Sequence, residues 1–128
     1  MMKRTLIECC YKKPEYGISP KAVAFNPKLP TYLRITDIND QGKFIHEGKK
    51  SIIVENESDY VLKEGEIVFA RTGSTVGKTY LYNKNDGKLI HAGYLIKFSP
   101  DPKILIPKYL KLCTEIDSYW NWVKINST

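Results

Sequence analysis

Glu66-Ile67-Val68-Phe69-Ala70-Arg71-Thr72, Lys78-Thr79-Tyr80-Leu81-Tyr82-Asn83 and Leu89-Ile90-His91-Ala92-Gly93-Tyr94-Leu95-Ile96-Lys97-Phe98-Ser99 are runs dense in β-branched and aromatic residues. Such runs favour extended backbone, because branched side chains pack well on a pleated surface. Short connections part them: Gly73-Ser74-Thr75-Val76-Gly77, and Lys84-Asn85-Asp86-Gly87-Lys88. Glycines permit positive φ at both ends of the first, and Asp86-Gly87 is a strong hairpin signal. The expectation is an antiparallel meander of three strands. Alternation within it puts Tyr94, Ile96 and Phe98 on one face, with Tyr94 assigned to the core. Tyr80 and Tyr82 share a face that serves either the core or base stacking.

The period changes after the meander. Tyr109, Leu112, Cys113, Ile116, Trp120 and Val123 recur at helical spacing behind Pro107, which predicts one helix from about Pro107 to Trp122. Ahead of the meander, Tyr32-Leu33-Arg34-Ile35-Thr36 reads as a strand that stops in the turn-forming stretch Asp37 to Gly42. Phe44-Ile45 and Ser51 to Val54 are further short strand candidates. Asn56 to Glu64 is polar and acidic, a loop or a single helical turn. The first 30 residues carry Pro14, Pro20, Pro27 and Pro30 and read as irregular, with a short element around Leu6 to Tyr11.

At 128 residues, 42% hydrophobic and 12% aromatic, the chain suits a single domain with a buried core, not a disordered basic tail. No apolar run is long enough for a membrane span, and Met1 to Cys10 lacks a secretory signal, so a cytoplasmic location and no membrane partner are expected. Cys9, Cys10 and Cys113 have no spacing suited to zinc and read as buried thiols, with no metal or cofactor expected. The formal charge is +6. Arg71 to Lys111 holds eight Lys and Arg against Asp86 and Asp101, an excess equal to that of the whole chain. A surface made by this block is expected to be positive and to attract a polyanion.

Gly73-Ser74-Thr75-Val76-Gly77-Lys78-Thr79 looks like a phosphate-binding P-loop, but its glycine spacing is one residue short and the residues after it are strand-like. It remains a donor-rich loop, with Thr72, Ser74 and Thr75 hydroxyls between Arg71 and Lys78. Such a loop either holds phosphate oxygens of a DNA backbone or satisfies its own backbone. His46 and His91 have no carboxylate or nucleophile partner evident by spacing and read as structural. Arg34 and Asp37 form either a positioning ion pair or a ligand contact.

Together these residues resemble a known family. Pro30-Thr31-Tyr32-Leu33-Arg34-Ile35-Thr36-Asp37-Ile38, Leu62 through Lys78, Ala92-Gly93-Tyr94-Leu95-Ile96, Tyr109-Leu110 and Tyr119-Trp120 look like successive landmarks of a target recognition domain. These are the DNA-reading domains of specificity (S) subunits in type I restriction-modification systems. The resemblance runs over roughly residues 16 to 123, and its most specific stretch is Arg71-Thr72-Gly73-Ser74-Thr75-Val76-Gly77. It implies an α+β fold: a β-rich twisted sheet, β-helix-like in form, with a C-terminal helix. It also implies a non-catalytic, sequence-specific binder of double-stranded DNA without a cofactor, working beside methyltransferase and restriction subunits. Residues 1–128 then form a single recognition domain that lacks the spacer helices and second recognition domain of the full pattern. A fragment, a truncated product and a half-subunit that pairs with itself all fit this.

The resemblance carries Arg34, Arg71, Thr72, Ser74, Thr75 and Lys78 over as DNA-binding positions that hold phosphates and fix register. Landmarks shared by a family are poor readers of bases that differ between systems. Base reading is assigned to the turns Gln41 to Lys50 and Lys84 to Lys88, with Lys84 and Lys88 as their DNA-binding cations. The rival reading is a module that mainly binds the restriction and methyltransferase subunits.

Overall fold

The computed structural model describes residues 6–70 and 77–126. It is a mixed structure of two small sheets and a helical C-terminal part. Glu15–Tyr16 (β1), Thr31–Leu33 (β2), Ile67–Ala70 (β3), Thr79–Leu81 (β4), Leu89–His91 (β5) and Leu95–Phe98 (β6) precede Pro107–Cys113 (α1) and Asp117–Asn126 (α2). A four-stranded antiparallel sheet has the order β1-β6-β3-β4, and β2 pairs with β5 in parallel.

The expected meander is therefore only half formed. β3 and β4 pair as expected, Val68 opposite Tyr80, with Gly77 and Lys78 closing the turn on Ala70. The third run breaks at Ala92–Tyr94, and its two halves go to different sheets. Leu89–His91 lies beside Thr31–Leu33, whereas Leu95–Phe98 returns to the far side of β3. Asp86-Gly87 accordingly closes no hairpin: Lys84–Asp86 is a 3-10 turn leading from one sheet to the other. Burial explains the parallel pair. Leu33 and Leu89 enter a core with Val68, Tyr80 and Leu95, while Tyr32 and Ile90 enter a second with Ile52 and Ala92. Strands buried on both faces need no polar side, and parallel pairing suits that state.

β6 presents the face opposite to the one expected. Leu95 and Lys97 are buried, Ile96 and Phe98 are half-buried, and Tyr94 is exposed. Lys97 can turn inward because Glu66 and Glu15 stand 3.6 and 3.8 Å from its ammonium. Glu66 also accepts from the Ser99 hydroxyl at 2.7 Å and the Lys63 N–H at 2.8 Å. A buried charge persists when paired and hydrogen-bonded in this way.

Gly17 crosses the β5–β6 corner, its N–H donating to the Leu95 carbonyl. A Cβ there would lie 2.1 Å from the carbonyl oxygens of His91 and Ala92, so only glycine lets the N-terminal segment pass. Alongside, buried His91 donates from Nε2 to the Glu15 carbonyl at 3.1 Å, leaving Nδ1 without a partner among the described residues. Burial holds this imidazole below its ordinary value, reinforced by the Lys97 charge. A depressed value makes the neutral ring the folded form, so its contribution is complete above about pH 6.5 and is lost as the pH falls. Glu15 is held low, first by its bond from Lys12, and responds only on further acidification. We expect the melting temperature to fall between pH 7 and 5, and His91→Gln, which keeps the donor, to flatten that limb. An equal acid limb in both proteins would reject this assignment.

The single predicted helix is two. α1 ends at Cys113, and Thr114, buried, bonds the Lys111 carbonyl and the Thr79 hydroxyl at 2.7 and 2.8 Å, tying the break to β4. The apolar positions Tyr109, Leu112, Ile116 and Trp120 are exposed, and Val123 is buried. The cysteines are half-buried free thiols. Among the described residues no helix is long and apolar enough to cross a membrane.

Candidate nucleic-acid interface

Residues 34–50 form a compact excursion between β2 and Ser51. Arg34 closes its first turn: its Nε and a terminal nitrogen donate to the two oxygens of buried Asp37, each at 2.9 Å, and its backbone N–H adds 2.8 Å. Of the two roles open to this pair, the structure shows the ion pair, a bidentate one. The Ile38–Phe44 bridge and the Ile45 N–H on the Asp37 carbonyl then build the turn, with Asn39 Oδ1 accepting from the Gln41 and Lys43 N–H groups at 2.9 and 3.0 Å. Lys78, arriving from β4, donates to the Ile38 carbonyl at 2.6 Å. Two of the sequence-predicted residues, Arg34 and Lys78, thus both brace the turn that contains Gln41 and Lys43.

Lys84 and Lys88 flank the second turn. Lys84 is exposed, and Lys88 is exposed with Glu57 at 3.1 Å. Arg71, Thr72, Ser74 and Thr75 lie outside the described residues. The exit from their loop is defined: Gly77 has φ +90°, and its carbonyl accepts from the Tyr119 hydroxyl at 2.6 Å. Burial pushes that hydroxyl up to about 12, which keeps the donor at every physiological pH.

The two proposed reading turns face each other across an open groove of about 1300 Å³. Gln41, Lys43 and His46 line it from one turn, Asn83, Lys84 and Asp86 from the other, and Ile106, Lys108 and Lys111 from the start of α1. Phe44 and Tyr80 are its buried members. A direct bond joins the turns, His46 Nε2 to Asp86 Oδ1 at 2.9 Å, and the second Asp86 oxygen accepts from the Tyr80 hydroxyl. Burial, followed by this bond to Asp86, raises the Tyr80 hydroxyl far above its usual range. Sequence spacing could not reveal the His46–Asp86 contact, because 40 residues separate the partners.

The expected positive surface is corrected in one respect. Lys97 is buried among carboxylates, Lys111 is tied to Glu115 at 2.8 Å, Lys78 is turned onto a carbonyl, and Lys88 is paired. Lys84, Lys103 and Lys108 remain exposed without an ion-pair partner among the described residues. The groove itself carries acids as well as cations, with Asp40 and Glu64 beside Lys43 and Lys84. It is a mixed donor and acceptor surface, suited to base edges better than to a bare track of phosphates.

No family model matches the chain, and no curated protein does. Among solved structures it is similar to a chain from work on the structural basis of complex assembly and conformational transition of the type I R-M system. The TM-score is 0.63 at 16% identity, over 96% of this chain and 31% of that one. The fold is thus related to part of a chain from a type I restriction-modification complex, and this chain spans about a third of its length.

Proposed function

We propose that this domain binds double-stranded DNA sequence-specifically as the target recognition component of a type I restriction-modification system. The observation that carries the reading is the fold similarity over 96% of the chain to a chain of such a complex. The meeting of both reading turns at one groove supports it. In this reading Gln41, Lys43, Lys84 and their neighbours address base edges. Arg71, Thr72, Ser74, Thr75 and the flanking cations hold phosphates, while Arg34 and Lys78 give register by shaping the first turn. Methylation and cleavage belong to partner subunits.

Selection from a random duplex library tests the reading. The parent is expected to recover a motif, and Lys84→Ala a changed one, since a good base contact is worth about 1–3 kcal/mol. Arg71→Ala should recover the parent motif with affinity reduced alike on all sequences, the slope of log affinity on log salt shrinking by about one unit. Recovery of no motif by the folded parent would overturn the reading.

A second reading has its own observation. Ile106, Tyr109, Leu112 and Ile116 are more than half exposed on consecutive turns near α1. Contiguous apolar surface of this kind commonly marks a protein contact. Methyltransferase or restriction subunits, or a second half-subunit, are the partners this reading assigns. Co-purification without DNA, lost in Leu112→Glu, would support it.

A further inference from the structure

The contact between the two turns is a chain of three side chains whose roles are fixed by chemistry. Tyr80 is buried at the base of β4, and its hydroxyl remains protonated under all ordinary conditions. It therefore always donates to Asp86 Oδ2, and this bond orients the carboxylate so that Oδ1 faces His46. An ionised carboxylate only accepts, so His46 Nε2 carries the hydrogen. The other nitrogen, Nδ1, is then a lone pair in the neutral ring, and it accepts from the Lys49 ammonium at 3.4 Å. Phe44 packs edge-on against the ring at 4.8 Å, and Lys49 also sits 4.5 Å over the Phe25 ring.

These contacts have opposite responses to a proton. When His46 gains one, Nδ1 becomes a donor and can no longer accept from Lys49, and two cations then face each other. The same proton adds charge attraction to Asp86. No other acid bonds the imidazole among the described residues; the other charged groups lining the groove are Asp40, Lys43, Glu64 and Lys84, with Lys108, Lys111 and Glu115 at α1.

We infer that Tyr80, Asp86 and His46 form a proton-dependent clasp between the two reading turns, with His46 as a positioning residue that tightens one turn on the other and expels Lys49 as it is protonated. The inference rests on the DNA-reading function proposed above for its consequence, though not for its geometry. If DNA spans the groove, the separation of Gln41 and Lys43 from Lys84 sets which base steps both turns reach at once. Sequence preference then depends on pH, and the freed Lys49 ammonium strengthens the attraction for phosphate at low pH.

Two measurements on the full chain separate this inference from the function beneath it. In the first, without DNA, the His46 ring and the backbone amides of Lys84 to Gly87 are followed by NMR from pH 8 to 5. Those amides are expected to move with the His46 midpoint in the parent and to lose that response in Asp86→Asn. Amides that ignore His46 overturn the clasp. In the second, affinity for the selected duplex is compared at pH 6 and 7.5 in the parent and in His46→Gln, which keeps an N–H donor for Asp86. The parent is expected to change by about two- to fivefold, the size an exposed ion pair carries, and the variant by less than half as much. Equal pH dependence in both overturns the coupling to DNA. A folded parent that binds no duplex overturns the function instead, and the amide titration alone then decides the clasp.

Discussion

Glu66→Ala is expected to cost about 3–5 kcal/mol of folding stability, the range for removing one partner of a buried ion pair. Glu66 and Lys97 are 1% and 3% exposed, and the carboxylate also takes the Ser99 hydroxyl and the Lys63 N–H. Removing it strands an ammonium between β3 and β6 with only the half-exposed Glu15 to face. Native domains hold about 5–15 kcal/mol in all, so the variant should melt many degrees lower. Lys97→Met should cost less, because Glu66 keeps Lys12, Ser99 and the Lys63 amide. In Glu66→Ala/Lys97→Met the stranded charge is gone, so the double variant should be more stable than Glu66→Ala alone. Urea unfolding with unchanged slope would show this. A Glu66→Ala loss below about 1 kcal/mol would mean that water reaches the pair.

Gly77→Ala should be the next most damaging change, at about 2–5 kcal/mol from two additive causes. Left-handed backbone costs a side-chain-bearing residue about 1–2 kcal/mol, and Gly77 sits at φ +90°. The new Cβ would also lie 2.9 Å from a Val123 methyl and 3.3 Å from the Tyr119 hydroxyl, and overpacking typically costs about 1–3 kcal/mol. Val123→Ala in the Gly77→Ala background should return part of the steric share and none of the backbone share. Tyr119→Phe, which deletes only the bond to the Gly77 carbonyl, should cost about 1 kcal/mol. Chemical denaturation of the parent, Gly77→Ala, Val123→Ala, their double variant and Tyr119→Phe checks the series. If Val123→Ala lowers stability equally with and without Gly77→Ala, α2 does not press on this glycine.

What could be read in the sequence was what depends on neighbours along the chain. β3 and β4 stand where branched and aromatic residues place them, but the expected strand Tyr32 to Thr36 stops at Leu33, since Ile35–Asp37 is a 3-10 turn closed by the Arg34–Asp37 pair. Helices do follow Pro107, though most of their apolar positions face outward. What could not be read was which strand lies beside which. Lys97 looked like the polar side of β6 because its partners, Glu66 and Glu15, come from strands far away in sequence. With those partners inside, the face assignment turns over and Tyr94 goes to solvent. Thr114 broke the helix for a similar reason, since its hydroxyl is bonded to Thr79 on β4. The Asp86-Gly87 pair kept its preference for a tight turn, yet the turn serves a change of sheet, with Asp86 committed to Tyr80 and His46. Of the candidate site, Lys84 lines the groove, and Lys88 is exposed beside Glu57. Arg34 and Lys78 emerged as braces, because local charge cannot tell whether a cation meets a ligand or a carbonyl.

The parallel contact of Thr31 with Leu89 sets the order in which this chain can fold. Thr31 also bridges Ser51, and Ile90 bridges Val61, but each is an isolated bridge; the strand pairing itself must wait for residue 89, as β1 must wait for β6. Entropy is spent closing long loops before the first of these pairings is rewarded, which places such a topology among slow folders, on the scale of milliseconds to seconds. During synthesis Tyr32 and Leu33 leave the ribosome well before Leu89 to His91 can lie beside them. That segment stays exposed to mispairing until β5 and β6 emerge.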